Sequence, residues 1–313
     1  MSNSLQKLSM KIYSLIITVI FFTNGLRANQ IDTLSIKTHL DKIINTEKPR
    51  NHRNIESLNY VADYIFNDFN KYADSVYYQP YVVDNKEYKN VVCVFGNQNA
   101  KTIVIGAHYD VCGNQDGADD NASGVVGLLE LAKSLKGETL NYRIEIVAYT
   151  LEEPPYFRTK NMGSYIHAKS LHENKTNVYG MFCLEMIGYF DDSKKSQDYP
   201  IGPLSLIYGN RGNYITLVNK FSKGKFSRKF NKQFKNQRLI KTKKFTAPAK
   251  MSGIDFSDHL NYWAFDFSAL MITDTAFYRN KNYHENTDTI ETLDLLRMSK
   301  VIESVYNTLI TMK

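Results

Sequence analysis

The sequence predicts an α/β domain with a central mixed β-sheet flanked by helices on both faces, and three observations predict it. Apolar runs of strand length alternate with longer stretches whose apolar residues recur every three or four positions. One run, Thr102 to Ala107, is suited to a strand buried on both faces. Histidine and acidic residues then fall just beyond several of the strand runs, on the rim where such sheets bind their ligands.

Taken in order, residues 56 to 72 space their apolar side chains as an amphipathic helix does. Ser75 to Val83 and Asn90 to Phe95 follow, separated by the polar Asp84-Asn85-Lys86-Glu87, and read as a hairpin. After the strand at 102 to 107 comes a Gly-rich acidic turn. The helix from Ser123 to Leu135 then sets Val125, Leu128, Leu129, Ala132 and Leu135 on one face. Arg143 to Tyr149, Tyr179 to Leu184 and Ser268 to Thr273 are further strands, and residues 293 to 312 close the chain as a helix. No internal repeat or low-complexity linker interrupts this order.

At 313 residues and 43% hydrophobic content, the chain buries a large core in one domain or at most two, which excludes a disordered protein. Residues 1 to 28 read as a signal peptide: Lys7 and Lys11 precede an apolar run from Ile12 to Thr23, with small residues at Gly25 and Ala28. That run is too short for an ordinary span, which needs roughly 20 residues. Export to the periplasm or medium is expected, with an uncleaved N-terminal anchor as the alternative. Of the three cysteines, Cys93 and Cys183 sit in apolar strands as buried thiols, and at most one disulfide can form.

The net charge of +7 is unevenly placed: residues 220 to 250 hold twelve Lys or Arg and no Asp or Glu, which leaves −5 on the rest. A solvated helix and loop is the plain reading, and contact with an acidic surface is the functional one. Phe221, Phe226, Phe230 and Phe234 recur at near-helical spacing as the buried stripe of a basic amphipathic helix. Without regularly interleaved aromatics for base stacking, no nucleic-acid partner is expected.

The chemistry lies at four strand ends. His108 and Asp110 follow the third strand run, Glu152 and Glu153 the fourth, Glu185 ends the fifth, and His284 lies beyond the last. Asp120 sits at the mouth of a helix. Imidazole nitrogen and carboxylate oxygen in one cleft suit zinc and metal-assisted hydrolysis. His39, His52, His167 and His172 lack companion carboxylates in sequence and read as surface or helix residues.

These motifs, Gly-Ala-His108-Tyr-Asp110, Asp119-Asp120-Asn-Ala-Ser-Gly, Leu-Glu152-Glu153, Leu-Glu185-Met-Ile-Gly, Ser-Asp258-His259 and Tyr283-His284-Glu-Asn-Thr-Asp288-Thr, resemble the two-zinc exopeptidases of the secreted bacterial aminopeptidase type. Relatives of that family include glutamate carboxypeptidase and glutaminyl cyclase. The resemblance runs from about residue 55 to the C-terminus and makes residues 29 to 313 a zinc exopeptidase domain acting on peptides. It implies that His108 and Glu185 bind one zinc, Glu153 and His284 the other, and that Asp120 bridges both. Asp110 would orient His108, Glu152 would be the general base, Tyr283 would donate to the oxyanion, and His259 would line or support the pocket.

Two departures stand out. Glu185 occupies a position often held by Asp, and the loop Pro154 to Asn161 is longer than the usual turn; Arg158 and Lys160 read there as solvated loop charges, with reach to a substrate carboxylate as the functional alternative. The alternatives are a one-zinc acyltransferase like glutaminyl cyclase and a non-catalytic binding ectodomain of the same fold.

Overall fold

The computed structural model describes residues 31–222 and 224–312, so the expected signal peptide at 1 to 28 lies outside the described residues. Eight strands form one mixed sheet: β1 (Ser75–Val83), β2 (Lys86–Phe95), β3 (Thr102–His108), β4 (Arg143–Tyr149), β5 (Val178–Glu185), β6 (Ile215–Lys220), β7 (Thr242–Ala247) and β8 (Ala269–Thr273). Their order across the sheet is β1-β2-β4-β3-β5-β8-β6-β7. The four central strands β4, β3, β5 and β8 are neighbours and parallel. The chain leaves β3 for β4 on one side and then returns to β5 on the other, which makes β3 the switch point where a crevice opens at the carboxyl ends.

The α-helices among the described residues are α1 (Thr33–Ile44), α2 (Ile55–Phe69), α3 (Gly124–Leu135), α4 (Gly163–Glu173), α5 (Leu204–Tyr208), α6 (Gly224–Gln237), α7 (His259–Ala264) and α8 (Leu295–Thr311), with a π-helical turn at Ala118–Ser123 and short 3-10 turns at Ala276–Tyr278 and Ile290–Thr292. Two buried apolar clusters, one on each face of the sheet, explain why β3 is buried along its whole length. The hairpin is tighter than the sequence suggested. Asp84 and Asn85 alone form the turn, both with positive φ (50° and 61°), and Val83 pairs directly with Lys86. Such a two-residue turn matches the twist of the strands and favours Asn and Asp.

The basic segment is a helix and an edge strand rather than a helix and loop. Phe226, Phe230 and Phe234 are buried beneath α6, while Phe221 precedes the helix and is 58% exposed, so the stripe has three members and not four. Gly180 in β5 makes that packing possible: a Cβ there would lie 2.1 Å from the Phe226 ring. Lys225, Arg228, Lys232 and Lys235 occupy the solvent side of α6. None of the three cysteines forms a disulfide. Among the described residues, no helix is long and apolar enough to cross a membrane.

Truncating the stripe tests this packing. Phe230→Ala is expected to cost about 3–5 kcal/mol of unfolding free energy, whereas Phe221→Ala costs under about 0.5 kcal/mol. Urea denaturation monitored by circular dichroism reads both; equal losses would contradict the assignment.

Candidate metal centre

The strands β3, β4 and β5, the turn that leads into α3 and the segment after β8 bring His108, Asp120, Glu152, Glu153, Glu185 and His284 together. Asp120 lies at the centre. Its Oδ1 is 3.4 Å from His108 Nε2 and its Oδ2 is 3.2 Å from His284 Nε2. His108 Nε2 is also 3.5 Å from Glu185 Oε2 and 3.9 Å from Glu152 Oε2, and His284 Nε2 is 3.3 Å from Glu153 Oε2. One group of ligand-type atoms comes from His108, Asp120 and Glu153, and a second from Glu153, His284 and Cys112.

The loops reach this geometry through uncommon backbone. Leu151, Met186 and His284 all adopt positive φ (59°, 49° and 60°), each costing on the order of 1–3 kcal/mol. Hydrogen bonds hold two of these turns. The Asp110 carboxylate accepts the backbone N–H groups of Glu152 (3.2 Å) and Glu153 (3.1 Å), fixing the turn after Leu151. Asn121 Oδ1 accepts from Met186 N–H and Gly124 N–H, both at 3.1 Å, which ties the end of β5 to the start of α3. The Asp120–Asn121 peptide bond is cis.

Several supporting residues are absent from the sequence reading. Arg50, fully buried, donates from Nε to Tyr109 O (2.9 Å) and from Nη2 to Gly117 O (2.7 Å), so it spans the loop between His108 and Asp120. Gly117 has φ +61°, and a Cβ there would meet Asp120 O at 2.3 Å. Asp288 accepts the N–H of Asp119 at 2.9 Å and of Asp120 at 3.0 Å with its two oxygens. Ser257 donates to Glu185 Oε2 at 2.7 Å. Asp288 and Ser257 lie inside or beside quoted motifs, but nothing in the sequence around Arg50 marks it.

Other expectations need adjustment. The Asp110 carboxylate is 3.6 Å from His108 Nδ1, which sits closer to the Asp110 backbone oxygen at 3.1 Å, so the side chain serves the Glu152–Glu153 turn first. His259 does not line the cavity. It is buried, with Nε2 at 2.8 Å from Ile254 O and its ring edge-on to Trp263. His167 and His39 do have carboxylate companions, Glu145 at 3.4 Å and Glu130 at 3.6 Å, and His167 is buried. Arg158 is paired with Asp255 at 2.6 Å and lies over Phe157 and Phe256, so its charge is already matched. Tyr283 stacks on His284 with ring centroids 3.8 Å apart.

Charge at the centre is unbalanced. Burial pushes the Glu152 carboxyl well up, with Glu153 and Glu185 adding to the effect and His108 opposing it. Glu153 is pushed to about 7 by burial and Asp120, and Asp258 to about 7 by burial, with His108 opposing. Asp288 rises to about 8 through burial and Asp119. Burial also opposes the charge on Asp120, yet His108 and His284 hold that carboxyl far below its usual range. His284 is raised to about 10 because Asp120 and Glu153 outweigh its burial. Asp120 Oδ2, Glu153 Oε1 and His284 Nε2 are buried without a hydrogen-bond partner, and buried lone pairs left free in this way suit a cation.

A cavity of about 280 Å³ opens beside these residues, with Tyr199, Tyr208, Tyr214, Phe245 and Phe277 among its walls and Glu152, Tyr283 and His284 at its rim. No lysine or arginine is among its lining residues.

Comparison with known proteins fits this geometry. The pattern described as Peptidase family M28 matches residues 90–309. The Escherichia coli (strain K12) protein YfbL is 41% identical over 276 residues, which span 86% of this chain and 84% of that protein. The aminopeptidase LapA of Legionella pneumophila superposes with a TM-score of 0.69 at 19% identity, covering 90% of this chain and 72% of LapA. A glutaminyl cyclase of Tannerella forsythia superposes with a TM-score of 0.66 at 20% identity, covering 90% of this chain and 99% of the cyclase. At such identities the two structures speak for the fold alone.

Without metal, folded Glu153, Asp258 and Asp288 keep protons that the unfolded chain releases by about pH 5, so stability falls as pH rises from about 5 to 8. His284, raised to about 10 from 6.5, continues that fall at higher pH. In chelator, the melting temperature should therefore be lower at pH 8.5 than at pH 5.5, with zinc narrowing the difference. A melting temperature that rises over this interval in chelator would contradict the charge arrangement.

Proposed function

The chain belongs to peptidase family M28, and from that premise we propose that it is a two-zinc aminopeptidase with Glu152 as its general base. Family membership makes it a metallopeptidase of the exopeptidase kind, and zinc is the metal the family implies. The finer reading rests on one observation, the position of Asp120 between two imidazoles with one oxygen toward each. That arrangement suits a carboxylate shared by two ions, one also held by His108 and Glu185, the other by Glu153 and His284. The nitrogen and oxygen donors, several buried and unpaired, fit zinc.

Held by these residues, zinc would supply Lewis-acid chemistry, making a water more acidic and polarising the scissile carbonyl. Glu152 lines the cavity and is not needed as a ligand, so it would take the proton from the attacking water and return it to the leaving amine. Tyr283 keeps its proton, since burial and the nearby carboxylates raise it, and donates its phenolic O–H to the developing oxyanion. The aromatic cavity receives the side chain of the residue to be removed. Its lack of lysine or arginine, together with the Arg158–Asp255 pair, favours release from the amino end over recognition of a terminal carboxylate. Export after cleavage near Gly25 or Ala28 belongs to the same reading.

Glu152→Gln should lower kcat by about 10²–10⁴-fold while leaving two zinc ions per chain. Aminoacyl substrates and dipeptides, assayed beside metal analysis, read both quantities. Unchanged hydrolysis would remove the base role. Full metal content in Asp120→Ala would overturn the bridge, and one zinc without hydrolysis would point to a cyclase-like enzyme or a binding protein.

A further inference from the structure

We propose that Cys112 is a thiolate ligand of the second metal, joining Asp120, Glu153 and His284, an inference that rests on the metallopeptidase reading. Cys112 follows β3 by four residues, on a loop that Arg50 and Asn51 hold through Tyr109 O, Gly117 O and Gly113 O. Its Sγ, a carboxylate oxygen of Glu153 and a ring nitrogen of His284 all lie within 4.8 Å of one another. Ligand atoms about 2.0–2.3 Å from a shared zinc stand roughly 3.3–3.8 Å apart, so movement of about 1 Å closes the set. An independent observation points to a ligand here: Glu153 Oε1 and His284 Nε2 have no hydrogen-bond partner, and Glu153 is only 4% exposed.

Neither ordinary role of a cysteine accounts for this one. Cys93 and Cys183 are buried in β2 and β5, whereas Cys112 is half-buried and forms no disulfide. Its charged neighbours are the Glu153, Asp120 and Asp110 carboxylates, not an apolar core. On coordination, the S–H bond breaks, its proton leaves to solvent and a metal–sulfur bond forms. The second site then has four protein ligands with one soft donor, and it prefers zinc, cobalt or cadmium over magnesium or manganese.

Cobalt(II) tests the assignment spectroscopically. Titrating the metal-free protein with cobalt should produce a near-ultraviolet thiolate-to-cobalt charge-transfer band with the equivalent that fills the second site, and Cys112→Ser should lose the band while still binding cobalt. In the unsubstituted chain, iodoacetamide should alkylate Cys112 without metal and be blocked by zinc, as read by peptide mass. Two bound metals with no band and undiminished alkylation would overturn the proposal alone. Failure of either protein to bind metal would sink the metallopeptidase reading with it.

Discussion

Mutual repulsion among buried carboxyl groups is the constraint around which this structure is arranged. Asp110, Asp119, Asp120, Glu152, Glu153, Glu185, Asp258, Asp274 and Asp288 are all buried, in segments that follow or end the central strands, against few cationic groups. Nothing in a hydrophobic core would gather them, because an unpaired buried charge costs several kcal/mol. The parallel strands β4, β3, β5 and β8 end together and deliver them to one crevice. Backbone N–H groups, protons and the two imidazoles then share the task of holding them until a dication is bound.

That arrangement explains why so many supporting contacts are made to backbone. Asp110 and Asp288 each spend two oxygens on two consecutive N–H groups, and Asn121 spends one oxygen on two. Each of these contacts fixes the direction of a loop rather than the torsion of one side chain. The strained turns at Leu151 and Met186 persist for this reason, and Glu152 and Glu153, though adjacent in sequence, can serve different purposes. Adjacent side chains on a regular strand would point to opposite faces of the sheet.

The central strands and the residues at their ends were legible because apolar runs and polar chemistry alternate abruptly there. Other elements were hidden for physical reasons. Helix α4 has a weak apolar stripe, and its buried His167 is paired with Glu145 from β4, a contact that spacing in the chain cannot reveal. Strand β7 carries Lys243 and Lys244 and lies at the edge of the sheet, so composition masks it inside the basic segment. Lys243 places its ammonium 3.6 Å from the ring centroid of Tyr214, a cavity-lining residue, so one charge of that segment packs behind the lining and does not belong to a solvated face. Arg50 was invisible because its value lies in three carbonyl oxygens more than fifty residues away.

The pair of hydrogen bonds from Asp119 and Asp120 to Asp288 joins positions 169 and 168 residues apart in the chain. A growing polypeptide cannot close the crevice before residue 288 has been made, while Arg50 is available from the start. The centre is thus completed late in the history of each molecule, after its sheet has the strands to support it. For a chain exported unfolded, as proposed for this one, this order means that metal would be acquired at the destination and not at the ribosome. Under the export proposed above, the metal pool that matters to this protein is the one outside the cytoplasm.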